Sequence, residues 1–319
     1  TIMGQSGGGA KVTTLTAMPA AKGRFHKAVV LSGAGVRSGE KAAAEKLGAY
    51  VLQAAGLTAA DIGTLQAMPW KQYYEIATRA QRKFAAEVGA TGMRAGFSPS
   101  VDGTVLPQHP YWPDAAPTAA SVPMIICSTE NEQAPAWIDA SLAGVTFDQV
   151  ADRVRERAGF GPGFGDRAKE VVASYAKAFP DKSPVEIWSL VTSNRQGVVT
   201  LADAKVKQPA PVYVSWFTWQ PPLFDGRIGA FHCVDISFWF HNTDLMLTHT
   251  GGGARPRRLA EKMAGALVQF MKTGDPNGKG LPAWPKYTSA NGETLILDDT
   301  CVVKNAPDRE ARKALPSLT

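Results

Sequence analysis

The chain has 319 residues, with 34 basic and 28 acidic side chains and a formal net charge of +6. Hydrophobic residues make up 45% and charged residues 19%, which supplies a sizeable core and too little charge for a disordered chain. Three cysteines (Cys127, Cys233, Cys301) exclude a disulfide scaffold, and apolar runs such as Val122–Cys127 stop short of the ~18 residues that span a bilayer. The basic residues are scattered, with Arg255-Pro-Arg-Arg258 the densest cluster, so the charge reads as a solvated surface and not as a nucleic-acid footprint. No Cys/His spacing suggests a zinc site.

In chain order, Thr1–Met3 reads as the tail of a β-strand, Gly4–Gly9 as a sharp turn, and Ala10–Met18 as a helix ended by Pro19. Ala28–Leu31 is a short apolar run bounded by Ser32-Gly33, as expected of a buried parallel strand. Strand, helix and strand within about 30 residues make a βαβ unit, so the sheet is expected to be parallel here. A start inside a strand, with no initiator Met, leads us to expect further chain upstream of Thr1.

Helices are expected from Ser38 to about Ala55, from an opening at Thr58–Asp61 to a limit at Pro69, and from Trp70 to about Glu87. Val88–Pro123 reads as an ordered surface loop. Val122–Cys127 is another buried strand, ending in the polar group Ser128–Glu132. Thr146–Gln149 and Ser183–Glu186 both have capping-box form. Ala168–Phe179 is amphipathic, and a long helix is expected from Ser183 to about Lys207. Val212–Thr218 is the next strand. Arg257–Met271 is the clearest amphipathic helix, and Thr294–Leu297 is a last strand after the turn at Asn291-Gly292.

Gly4-Gln5-Ser6-Gly7-Gly8 fits the pattern G-x-S-x-G. A strand-to-helix turn this sharp strains the backbone of its serine and presents the hydroxyl at a helix N-terminus. The Gly7 amide can then donate to an oxyanion. At this glycine and serine content chance alone gives roughly 0.15 such matches, so the pattern needs partners to carry meaning. A serine nucleophile needs a base. Of the five histidines, His26 follows Ser6 too closely, and His109 sits in the Pro-rich stretch. His232 follows the Val212–Thr218 strand and is the best candidate, while His241 and His249 read as surface groups or as groups supporting the site from behind. The acid that orients the imidazole should lie past a middle strand, where both Glu130 and Glu132 stand. Asp235 is too near His232 in sequence to be the first choice.

These residues resemble the type-B carboxylesterases, the family of para-nitrobenzyl esterases and cholinesterases. Thr1–Gly35 is similar to that family's nucleophile elbow, Pro123–Trp137 to the segment bearing its acid, and Val212–Phe240 to its histidine region. Gly274–Asn277 and Leu281–Pro285 resemble its C-terminal signature.

The resemblance implies an α/β-hydrolase fold over a single domain, 1–319, with a mainly parallel sheet, helices on both faces, and a helical cap-like region at 146–207. The family's N-terminal strands and its upstream glycine loop, which supplies further oxyanion donors, have no counterpart in the sequence. It also implies a serine ester hydrolase acting through an acyl-enzyme. Ser6 is the expected nucleophile, Glu132 the acid with Glu130 in reserve, His232 the base, Gly7 the oxyanion donor and Ser32 a supporting serine.

The expected partners are a small ester and a complementary N-terminal segment, with no nucleic acid, no membrane span and no metal or organic cofactor. The rival expectation is a non-catalytic fragment or a cholinesterase-like interaction domain that acts only with that segment.

Overall fold

The computed structural model describes residues 1–89, 96–159 and 161–317. Its framework is a six-stranded sheet of β1 (Ile2–Gln5), β2 (Ala28–Leu31), β3 (Met124–Thr129), β4 (Val212–Phe217), β5 (Glu293–Leu297) and β6 (Val302–Asn305), which lie side by side in chain order. The first five are parallel and β6 returns antiparallel to β5. Gly4 pairs with Val30, Leu31 with Cys127, and Thr129 with Phe217. The C-terminal ends of β1 to β4 therefore reach one rim of the sheet, the edge where open α/β sheets hold their ligands.

Strands β2, β3 and β4 are buried on both faces, which explains their unbroken apolar runs. On one face Val29, Leu31, Ile125, Tyr213 and Leu295 pack against Met263, Leu267 and Phe270 of the helix Ala254–Thr273. On the other, Ala28, Val30, Ile126 and Val214 meet Val12 of the helix Gly7–Ala17 and Val198 and Leu201 of the helix Arg195–Lys205. Helices thus cover both faces of a mainly parallel sheet.

A third apolar cluster joins the helices Phe147–Glu156, Ala168–Ala178 and Pro184–Val191 over Trp216 and Ile296. Thr146 and Ser183 close the capping boxes expected of them. Another cluster lies between the helices Lys41–Ala55 and Trp70–Val88, through Val51, Ile76 and Ala80.

Three expectations need correction. The helix after β1 begins at Gly7 and not at Ala10. Glycine is a poor helix former, but the sharp turn puts the chain directly into helical geometry. The long helix expected from Ser183 to Lys207 is two helices, broken at Thr192–Asn194. There the Thr192 hydroxyl turns back onto the Trp188 carbonyl, and Arg195 is drawn into a buried ion pair with Asp308. Val88–Pro123, expected to be loop throughout, contributes Ser100–Val101 as a short strand parallel to Gly39–Glu40, and a helical turn at Pro117–Ala119. Residues 90–95 of that stretch lie outside the described residues.

Candidate active site

Ser6 stands between the end of β1 and the first turn of its helix, with φ 55° and ψ −121°. This backbone region is costly for a residue with a Cβ, and such strain persists only where the surroundings over-determine it. The surroundings here are glycines. A Cβ on Gly4 would sit 2.2 Å from the Gly8 carbonyl oxygen, and one on Gly33 would sit 2.0 Å from the Ser6 carbonyl oxygen. The Ser6 amide donates to the Leu31 carbonyl at 2.8 Å, which fixes the turn to the end of β2. Gly7 is the first helical residue, where the backbone N–H has no acceptor within its own helix.

His232 follows Phe231, whose backbone forms a parallel bridge with Asn131. The Asn131 carboxamide oxygen accepts from the Ala230 amide at 2.9 Å, and the Asn131 amide donates to the Ala230 carbonyl at 3.0 Å. These bonds lash the histidine loop to the loop after β3. Across this junction His232 Nδ1 is hydrogen-bonded to Glu132 Oε2. Glu132 Oε1 accepts from the Thr129 amide at 3.1 Å, so the carboxylate is held from both sides. Its side chain is 3% exposed and that of His232 28%, an arrangement with the carboxylate inside and the imidazole at the rim.

Burial alone would favour neutral His232. The contacts with Cys233 and Glu132 outweigh it and raise the affinity of the ring for its proton.

The second carboxylate faces elsewhere. Glu130 Oε2 accepts from Lys182 Nζ at 3.1 Å and Gln220 Nε2 at 3.4 Å, and Lys182 also reaches Glu186 at 3.3 Å. Burial pushes the Glu130 carboxyl up, and Lys182 opposes that shift.

The third junction lies between the imidazole and the serine turn. His232 Nε2 lies 3.3 Å from Gln5 Nε2, and among the described residues no hydrogen bond joins it to the Ser6 hydroxyl. The imidazole faces the strand end that carries the serine, with the neighbouring side chain in contact.

Ser32 follows β2 with φ 45°, its amide bonded to the Cys127 carbonyl at 2.8 Å. Its buried hydroxyl has no partner among the described residues.

Two of the remaining histidines have partners of their own. His109 Nδ1 accepts from the Ser38 amide and its Nε2 is 3.3 Å from Glu40. His249 packs its ring on Phe231 at 5.3 Å between centroids.

Asp235, set aside on sequence grounds, is fully buried three residues after His232. One carboxylate oxygen accepts from Trp239 Nε1 at 3.2 Å and the other has no partner among the described residues. Burial, helped by the charge of Glu132, raises its carboxyl to about 7. The three cysteines are unpaired. No group of three or more His, Cys, Asp and Glu among the described residues could hold a metal ion.

A mainly parallel sheet, helices on both faces, and a strained serine turn at the rim define an α/β-hydrolase-fold protein. The carboxylesterase family model matches residues 1–314, and the chain belongs to that family.

It is 28% identical to the para-nitrobenzyl esterase of Bacillus subtilis (strain 168), over 99% of this chain and 61% of that protein. It is 27% identical to the phenmedipham hydrolase of Pseudarthrobacter oxydans, over 94% of this chain and 59% of that one. Among solved structures, a thermophilic para-nitrobenzyl esterase matches with a TM-score of 0.75 and 26% identity, over 98% of this chain and 62% of the other. An esterase of Clostridium hathewayi that hydrolyses aliphatic aromatic polyesters matches with a TM-score of 0.73 and 27% identity, over 98% of this chain and 60% of the other. The chain thus spans about three fifths of the length of these relatives.

Proposed function

We propose that the protein hydrolyses carboxylic esters through an acyl-enzyme formed on Ser6. The observation that carries this reading is the Glu132–His232 hydrogen bond, which points Nε2 of the same ring at the strand end bearing the strained serine turn. Bonded through Nδ1 to a carboxylate, His232 is held in the tautomer whose Nε2 accepts a proton. A swing of the Gln5 carboxamide away from Nε2 opens that nitrogen to Ser6 Oγ.

In the first half-reaction His232 Nε2 takes the Ser6 proton as Oγ bonds to the ester carbonyl carbon. The oxyanion accepts from the Gly7 amide, and Glu132 stabilises the imidazolium. The C–O bond to the alcohol breaks, and the alcohol leaves with the proton from His232. In the second half water gives its proton to His232 and its oxygen to the acyl carbon, and Ser6 departs protonated. Residues 1–319 belong to one catalytic domain, with the helices between 146 and 207 as a cap-like region over the site.

A specific feature favours an added partner for this unit. The outer edge of β1 is unpaired among the described residues, and a strand there would complete the sheet beside the serine turn. A segment docked on that edge is placed to bring further oxyanion donors. The contrasting reading, a segment with a binding role only, makes no use of an ordered Glu132–His232 pair.

The test is hydrolysis of a short-chain aryl ester by the full-length gene product and by Ser6→Ala. Loss of about 10³-fold or more in kcat/KM for the variant, with an unchanged Tm, supports the reading. Equal rates would end it.

A further inference from the structure

We propose that the protein carries a second, non-catalytic site that binds a phosphate group, at the end of the sheet opposite the serine turn. A cavity of about 210 Å³ is lined there by Arg195, Asp203, Tyr287, Arg309, Arg312 and Lys313, with Ser289 and Gly292 at its wall. That volume is an order of magnitude above the ~10–15 Å³ that admits one water. The Tyr287 amide donates to the Val212 carbonyl, which places this wall at the N-terminal end of β4, whereas Ser6 sits past the C-terminal end of β1.

Four cationic side chains line this cavity, against one lining carboxylate, Asp203, and two neighbouring ones, Asp308 and Glu310, that are paired with cations. Asp203 accepts from the Tyr287 hydroxyl at 2.9 Å. Asp308, buried, accepts from Arg195 Nε at 3.2 Å and Arg312 Nε at 2.8 Å. Glu310 pairs with Lys313 at 2.7 Å, both side chains open to solvent. Arg309 spends one nitrogen on the Ser289 and Ala290 carbonyls.

Arg195 is the telling residue. It is 2% exposed, its Nη2 donates to the Thr294 hydroxyl, and its Nη1 has no hydrogen-bond partner among the described residues. Its Cζ lies 5.1 Å over the Trp216 ring, which supports the cation but gives that N–H no acceptor. Arg195 shares Asp308 with Arg312, and its Nη1 has no surface open to the cavity, so its charge acts on an anion there through space, together with those of Arg309, Arg312 and Lys313. Planar guanidinium forks match the oxygens of phosphate, and several cations suit its second charge better than a carboxylate would. The ligand is therefore a phosphate group, either the free ion or a small phosphomonoester. The site owes nothing to the esterase reading.

Thermal unfolding of the purified gene product is compared in inorganic phosphate, glycerol phosphate, acetate and chloride at matched ionic strength. Ligand that binds the folded state alone raises Tm by mass action, here by about 1–4 °C at saturating millimolar phosphate. The double variant Arg309→Ala/Lys313→Ala should still unfold cooperatively in chloride, at a Tm lowered by the lost Arg309 hydrogen bonds, and should lose the phosphate response. Lys313→Glu, a change of an exposed side chain, should weaken phosphate binding at least ~5-fold by calorimetry. A larger response to one of the two phosphates decides between the free ion and the ester, and either result supports the site. An equal shift in chloride, an equal or larger one in acetate, or a phosphate response that survives the double variant overturns the proposal.

Discussion

His232 holds its proton more tightly than a free imidazole because its contacts with Cys233 and Glu132 outweigh the effect of burial. A base must be neutral to accept the serine proton, so the rise of kcat/KM with pH should lie above the ordinary imidazole value of ~6.5. Glu132→Gln removes the partner charge. The expected outcome is a rise displaced to lower pH and kcat reduced by about 10²–10⁴-fold in a folded protein. Glu130→Gln should leave the position of the rise unchanged, because that carboxylate faces Lys182. A pH profile of each variant checks both expectations.

Asp235 gives a stability prediction of definite sign. Its folded pKa, about 7, lies above the ordinary carboxyl value, so the native state favours the protonated form. The contribution is fully present below about pH 4 and is lost as the pH rises toward 7. Asp235→Asn keeps an acceptor for Trp239 and should flatten that decline, with a gain of a few kcal/mol at pH 8. Urea titrations of both forms at pH 5 and pH 8 measure it.

The sequence drew Glu130 and Glu132 together as alternatives, because both follow the same strand. Their different partners depend on Lys182 and on the histidine loop, each at least 50 residues away. Asp235 was legible only as an acidic residue near His232. Its burial comes from the packing of Phe238 and Trp239, which sequence spacing does not display.

At the scale of elements, the turn at Ser6 depends on how closely two glycines let the backbone approach. Gly33→Ala would drive a methyl group to 2.0 Å from the Ser6 carbonyl oxygen, and the obstacle is backbone. We expect a loss of at least ~2 kcal/mol in chemical denaturation, together with loss of ester hydrolysis. Gly23→Ala, where a Cβ would meet nothing within 4 Å, controls for the substitution, although its φ of 75° makes it costly too.

The Lys182–Glu130 pair ties the helical layer to the loop after β3. Lys182→Met leaves Glu130 buried beside Gln220 alone, and should cost about 1–3 kcal/mol once the partial exposure of Lys182 is allowed for.

Strands β2 to β4 and both capping boxes were readable because local signals and tertiary burial agree there. The break at Thr192–Asn194 was not, since a buried ion pair with Asp308, over a hundred residues on, helps set it. Strand β6 was missed for a different reason. Val302-Val-Lys-Asn305 is an edge strand with a largely exposed pattern, and its place is fixed by pairing with β5.

For the molecule as a whole, the sheet presents one parallel edge, that of β1, with no partner strand among the described residues. Unpaired strand edges invite association. Residues 1–319 expressed by themselves should therefore run as concentration-dependent oligomers or aggregates in size-exclusion chromatography. A monodisperse monomer over a hundredfold range of concentration would contradict that expectation.

The α/β architecture was legible as a whole because alternating strand and helix signals leave few topologies open. The meeting of Glu132 with His232 across 100 residues was legible only through the family resemblance, since no local pattern records it.

The central claim is that Ser6 is an activated nucleophile served by His232. It is tested most directly by treating the full-length gene product with a fluorophosphonate and mapping the adduct by peptide mass spectrometry. The account predicts one adduct per chain, on the peptide that contains Ser6, and none when His232 is replaced by alanine. An ester-hydrolysing preparation with Ser6 unmodified and the adduct on Ser32 or another residue would contradict it.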